Sequence, residues 1–253
     1  MYFWEGKPCK VVEKLQQPGG TLDTFYNDGV LQGRFVSNVN DSHIDTYGHL
    51  NNAIFPIYFS KASGHLLSEL GFSYDHLLRN RTILSLKKAS YQFKKQVPKE
   101  SMVEIVSGFA YSNEDGLGQC VKSAMSADSA VANSCIKHVY GNGDVMDGSL
   151  CNQYLPLLFE KARQNVQNEQ NCQDKKLRDK GLALVVSKAD YTFNTSIFQD
   201  DNITICTDMV RNRNSLIMNH YMKKGDTPVA EARTKHGLVS LDSGRPLKMN
   251  EYI

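Results

Sequence analysis

Two stretches of the chain repeat each other one hundred positions apart, and this duplication limits the fold more than any local pattern does. Gly48–Ala62 recurs as Gly148–Ala162 without a gap, keeping a Gly, a Leu, an Asn, a Pro, a Phe, a Lys and an Ala in place. Leu84–Phe93 faces Leu184–Phe193 at the same spacing and shares a Lys-Ala-x-Tyr-x-Phe run. Val131-Ala132 with Lys137-His138 returns as Val229-Ala230 with Lys235-His236, now 98 positions on, as if one loop had lost two residues. A chain of 253 residues has room for two units of about 100–150 residues each. The expected organisation is an N-terminal extension over 1–32, a first unit over 33–140 and a second unit over 141–253.

Periodicity gives the content of one unit. Ile54, Ile57, Tyr58, Ala62, Leu66 and Leu70 recur at three- and four-residue steps, which predicts a buried helix that Gly71 can end. Pro56 and Pro156 place each helix start only a few residues upstream, because proline is tolerated in the first turn. Runs of partly alternating β-branched and apolar residues predict strands at Leu84–Phe93, Met102–Phe109, Gln119–Ser126 and Ala130–Tyr140. Asn113–Gly116 and Ala127–Asp128 supply turns between them. The second copy repeats the order at Leu182–Phe193, Ile203–Arg211, Ser215–Lys223 and Val229–Leu241. Gly33–Asn40 reads as a strand leading into the first helix. No obvious counterpart precedes the second helix, and Lys10–Leu15 or a continuation through Val139 is the expected substitute. The fold class is α+β, two units each with a central helix wrapped by an antiparallel sheet.

Composition removes several functions. Apolar content of 41% and charged content of 22% fit a globular protein. A net charge of +2, without basic residues clustered on one face, speaks against nucleic acid. No run of about 18 apolar residues occurs, and Met1–Lys7 lacks the pattern of a secretory leader, so a cytoplasmic location away from membranes is expected. The six cysteines (Cys9, Cys120, Cys135, Cys151, Cys172, Cys206) are scattered, which favours reduced structural thiols. They form no zinc-type spacing, and His43 with His49 lacks further ligands, so neither a metal nor another cofactor is expected.

Chemistry concentrates in His43-Ile44-Asp45-Thr46-Tyr47-Gly48-His49-Leu50-Asn51-Asn52-Ala53, the segment joining the leading strand to the first helix. A carboxylate just before a helix start faces orphan N–H groups and the positive end of the helix dipole. Asp in that place also serves as a cap or a turn former. The segment resembles the D-x-x-G-H-V-N-N-A loop of hotdog-fold thioesterases, such as the 4-hydroxybenzoyl-CoA thioesterase-like enzymes. The likeness continues through Phe55–Ala62 and extends more weakly over most of 33–140. The tandem-hotdog plant acyl-ACP thioesterases, with a D-x-N-x-H-V-N-N loop, are similar too, although Tyr47 stands where their Asn would be.

This resemblance implies a double hotdog, an intrachain pseudo-dimer that hydrolyses an acyl-CoA or acyl-carrier-protein thioester in fatty-acid metabolism. Asp45 would activate water or attack the carbonyl, and the backbone N–H of Asn52 would polarise the carbonyl oxygen. His49 would either move a proton or shape the loop, and Tyr47, Gly48 and Asn51 would border the substrate. In the second copy Val145 and Ser149 replace Asp45 and His49, while Asp147 faces Tyr47, so that unit reads as degenerate and as the supplier of part of the pocket. Lys94-Lys95, Arg211-Asn212-Arg213 and Lys223-Lys224 could meet a CoA phosphate or an acidic carrier protein. A non-catalytic acyl-CoA-binding protein and a hotdog hydratase or dehydratase stay open as alternatives, as does further homo-oligomerisation.

Overall fold

A computed structural model of the chain describes residues 1–7, 17–80, 82–112, 116–126, 129–142, 149–150, 152–170, 174–198 and 200–252. Three strands come first: β1 (Tyr2–Gly6), β2 (Thr21–Asn27) and β3 (Val30–Asn38). The central helix α1 (Phe55–Glu69) and the short α2 (Tyr74–Arg79) follow, then β4 (Thr82–Phe93), β5 (Met102–Ser112), β6 (Gly116–Ser126) and β7 (Ser129–Asn142). The second half runs β8 (Ser149–Leu150), α3 (Leu155–Glu169), α4 (Asp174–Arg178), β9 (Leu182–Phe193) and β10 (Ile197–Phe198). It ends with β11 (Ile203–Arg211), β12 (Leu216–Lys224), β13 (Thr227–Ser240) and β14 (Pro246–Leu247). The chain adopts the two-unit architecture expected from the repeat, with the double-hotdog arrangement that the resemblance implies.

Local chemistry sets the helix ends as the prolines predict. Pro56 and Pro156 fall in the first turns of α1 and α3, where a missing N–H breaks no helical bond. Past the end of α1 the Phe72 N–H reaches the Leu67 carbonyl (2.8 Å) and the Gly71 N–H reaches Ser68 (3.0 Å), with Gly71 at φ +91°. These two bonds form a Schellman termination.

The large sheet runs in the order β1-β11-β12-β13-β9-β4-β7-β6-β5-β3-β2, with β14 added beside β13. The halves meet where β4 pairs antiparallel with β9, and Ser90 faces Asp190 there, one hundred positions apart. The Ser90 hydroxyl donates to Asp190 Oδ1 at 2.5 Å. Ala89 opposes Tyr191 and Tyr91 opposes Ala189, so a pseudo-twofold axis passes through this pair. Tyr91 and Tyr191 meet edge to face at 5.9 Å, each also packing on the phenylalanine of its own helix, Phe59 at 5.6 Å and Phe159 at 5.8 Å. One apolar core therefore spans the seam, and a smaller one around Val166, Leu184, Met218 and Leu238 fills the far end of the second half.

The place of a first strand in the second half is taken by the start of the chain. Tyr2–Gly6 pairs with β11, from Tyr2 opposite Thr207 to Gly6 opposite Ile203, as β3 pairs with β5 in the first half. Val139 lies inside β7 opposite Ser85. Lys10–Leu15 is outside the described residues, as are the turn positions 113–115 and 127–128. A five-residue strand whose partner lies two hundred positions away leaves no local signal, which is why the sequence pattern misses it.

Candidate active site

The segment between β3 and α1 is tied into a compact loop. Ile44 and Leu50 form an antiparallel bridge, and His49 bridges Pro98. Asp45 donates its N–H to the His49 carbonyl (2.8 Å) and accepts the Gly48 N–H at its own carbonyl (3.2 Å). Gly48 turns the chain at φ +82°, a left-handed conformation costly for a residue with a Cβ. Asp45 Oδ1 accepts the N–H groups of Tyr47 (2.8 Å) and His49 (3.1 Å). The first of these is the Asx-turn geometry that favours Asp here. Among the described residues both side-chain bonds use Oδ1, which leaves Oδ2 to meet a ligand.

Burial pushes the Asp45 carboxyl above the ordinary aspartate range, against the two backbone N–H groups and the His49 ring, with Glu160 adding to the rise. A carboxylate so placed is a stronger proton acceptor than one in water. His49 Nδ1 is buried and forms no hydrogen bond among the described residues.

At the entrance to α1, Asn51 Oδ1 accepts the Ala53 N–H (2.9 Å), the Asn51 N–H donates to His43 (2.9 Å), and the Ile54 N–H returns to the Asn51 carbonyl (2.9 Å). These bonds leave the Asn52 N–H without a partner among the described residues. The Asn52 side chain crosses the seam to the Val186 carbonyl (3.2 Å), and Asn152 makes the symmetric bond to Leu86 (2.9 Å). The paired asparagines of the repeat are thus reciprocal staples between the halves.

A cavity of about 750 Å³ opens at this seam. The first half lines it with Asp45, Tyr47, His49, Asn51 and Asn52, together with Phe93, Lys94 and Lys95. The second half contributes Glu160, Lys161, Arg163 and Gln164 of α3, with Leu184 to Val186 of β9. Gly48 is exposed and does not line it. Arg211, Arg213, Lys223 and Lys224 lie away from the cavity, and Lys224 pairs with Asp201 at 2.8 Å. Val145, Asp147, Gly148, Cys9, Cys151 and Cys172 are outside the described residues, and Ser149 opens β8.

Three residues that sequence reasoning assigned no role shape the site from the second half. Arg163 binds Glu160 through two parallel hydrogen bonds, Nε to Oε2 at 2.7 Å and Nη2 to Oε1. Burial opposes ionisation of Glu160, but Arg163 outweighs it and holds the carboxyl below its ordinary range. Arg178 at the end of α4 donates to the Thr46 carbonyl (2.6 Å) and lies over the Tyr47 ring at 5.6 Å. The one signal for the ion pair was register. Glu160 and Arg163 put opposite charges where the first helix has Ser60 and Ser63.

Known proteins agree with this architecture. The family model of the thioesterase-like superfamily matches twice in tandem, over residues 39–135 and 142–253. The chain belongs to the thioesterase-like superfamily. Its fold is similar to that of a 12:0-ACP thioesterase from Umbellularia californica, with a TM-score of 0.65 and 10% identity over 85% of this chain and 94% of that one. An acyl-ACP thioesterase from Bacteroides thetaiotaomicron gives a TM-score of 0.63 and 8% identity over 81% and 97%. A tesB protein from Mycobacterium avium subs paratuberculosis gives 0.55 and 9% over 90% and 97%. A search of curated protein sequences returns no match. At these identities the structures speak for the fold, while the superfamily rests on the two sequence matches. No described helix of this superfamily member is long and apolar enough to cross a membrane.

Proposed function

We propose that this thioesterase-like protein hydrolyses acyl thioesters of coenzyme A or of an acyl carrier protein, at the seam between its two units. The observation that carries the reading is the Asp45 carboxylate. One of its oxygens is held by two backbone N–H groups, and it borders a cavity of about 750 Å³ beside the N–H of Asn52, which has no partner among the described residues.

Thioester hydrolysis needs a base or nucleophile next to the carbonyl carbon and a donor where negative charge develops on oxygen. In the water-activating route, Asp45 Oδ2 takes a proton as water oxygen bonds to the carbonyl carbon. The Asn52 N–H, at the positive end of α1, stabilises the oxyanion. Collapse of the tetrahedral intermediate breaks the C–S bond, and the Asp45 proton leaves with the thiol. In the nucleophilic route Asp45 forms an anhydride that water then opens. Both routes consume one water and release one acid and one thiol. The elevated carboxyl serves either step, and His49 shapes the loop through its N–H bond to Asp45 or moves a proton at the cavity wall. Tyr47 and Asn51 border the substrate, Gly48 sets the turn, and Lys94 and Lys95 place positive charge at the cavity for a phosphate or an acidic carrier.

The test is a panel of CoA and carrier-protein thioesters of graded chain length, followed by release of free thiol. Release from at least one member is expected. Saturable binding without release across the whole panel would favour an acyl-thioester-binding protein instead.

A further inference from the structure

Behind the Glu160–Arg163 pair the seam cavity has a neighbour of about 20 Å³, which reaches into the second unit. The two cavities share Asn52, Phe93, Glu160, Arg163 and Val186, so they adjoin along these residues. Phe159 and Tyr191 line the sides of the smaller chamber, and His220 and Thr234 line it as well.

Those last two residues are unusual for a protein interior. Thr234 and His220 are buried, at 5% and 0% exposure, and neither Thr234 Oγ1 nor His220 Nε2 has a hydrogen-bond partner among the described residues. The other imidazole nitrogen, Nδ1, is engaged with Thr207 Oγ1 at 2.8 Å. Leaving a buried polar atom unsatisfied is costly, so two of them on residues that line one small chamber point to something that binds there. Gln167 Nε2 and His236 Nε2 are in the same condition on neighbouring positions of α3 and β13. Matched through the repeat and the strand pairing, Gln167, His220 and Thr234 correspond to the apolar Leu67, Val121 and Ile136 of the first unit, whereas His236 corresponds to His138. The polar lining is thus particular to the second copy, the one that lacks the Asp45 and His49 counterparts.

We propose that the acyl subsite runs from Asp45 past Asn52 into this chamber, and that the acyl group it selects carries a neutral hydroxyl or oxo oxygen at its far end, hydrogen-bonded by Thr234 and His220. A plain alkyl terminus would leave both polar groups unsatisfied and would bury the Glu160–Arg163 pair against hydrocarbon. A carboxylate terminus would add a charge where Arg163 is already neutralised by Glu160. A chamber of about 20 Å³ is enough for a single oxygen-sized group, which water can occupy until the acyl oxygen displaces it.

The inference rests on the thioester reading of the site, and its test does not depend on turnover. CoA thioethers, which cannot be hydrolysed, are titrated calorimetrically into the full-length protein as matched pairs of short chain length, S-alkyl against S-(ω-hydroxyalkyl). At one chain length the hydroxyl member should bind at least about tenfold tighter. Thr234→Val keeps the shape of the side chain without its hydroxyl and should bring that ratio close to one, while Thr234→Ser retains the preference. Equal or tighter binding of every alkyl member overturns the proposal, as does a preference unchanged in Thr234→Val or a failure of both series to bind. Thioester hydrolysis without this discrimination removes the acyl-end subsite and leaves the thioesterase reading standing. Discrimination among thioethers without any thioester hydrolysis does the reverse.

Discussion

Asp45 is caught between burial, which favours its neutral form, and two N–H groups that favour the carboxylate, and burial prevails. Its folded-state pKa is therefore above the unfolded value, so its ionisation lowers stability once the pH passes the ordinary aspartate range. Asp45→Asn keeps an acceptor oxygen for the Tyr47 and His49 N–H groups and removes the buried charge. It should melt at the same or a higher temperature than wild type at neutral pH, with the difference shrinking as pH falls toward about 4. Thermal melts across that range check the sign, and a variant that melts well below wild type at neutral pH would contradict it. The Asp45 loop was visible in the sequence because its residues are contiguous and resemble a known family's loop, from which the roles proposed for them come. Glu160, Arg163 and Arg178 were not, because they reach the loop only after two chain segments more than one hundred positions apart have been brought together.

At the scale of elements, the short helix α4 acts on the loop through one peptide group. Arg178 binds the Thr46 carbonyl, and the N–H of that same peptide, belonging to Tyr47, binds Asp45 Oδ1. Arg178→Ala should lower kcat by about 10- to 100-fold with little change in KM, because it loosens the carboxylate without touching the substrate. Arg178→Lys should recover part of the loss. Steady-state kinetics on any hydrolysed thioester separate these outcomes, and a variant with wild-type kcat would remove the clamp from the account. The two central helices were readable from apolar residues at three- and four-residue steps and from Pro56 and Pro156. The long strands were readable from partial alternation, within one or two residues for β9, β11 and β12. The two short helices, α2 and α4, have too few turns to show a period.

For the whole molecule, the decisive feature is that the two units share one sheet and one core instead of touching as separate domains. Strand β1 extends this sharing, because the start of the chain completes the sheet of the second half, with the Phe3 carbonyl also accepting from Asn165 of α3 (3.0 Å). The second unit is thus proposed to comprise 141–253 together with the N-terminal strand. Deleting Met1–Gly6 uncovers the edge of β11 and should lower the melting temperature, by about 2–4 °C for each kcal/mol lost, and increase aggregation through the exposed edge. Calorimetry with light scattering tests this, and an unchanged transition would mean that β1 carries no share of the second half's stability. The duplication itself was visible from the repeat, but which unit contributes which wall of the cavity depends on the pairing of β4 with β9, which no single segment encodes. The proposed hydrolysis at the seam turns on Asp45. Its most direct test is the rate of thiol release by Asp45→Asn on the best thioester of the panel, at saturating substrate and with the fold verified by melting. The predicted result is a fall of about 1000-fold or more relative to wild type; a variant that keeps its rate within about tenfold would contradict it.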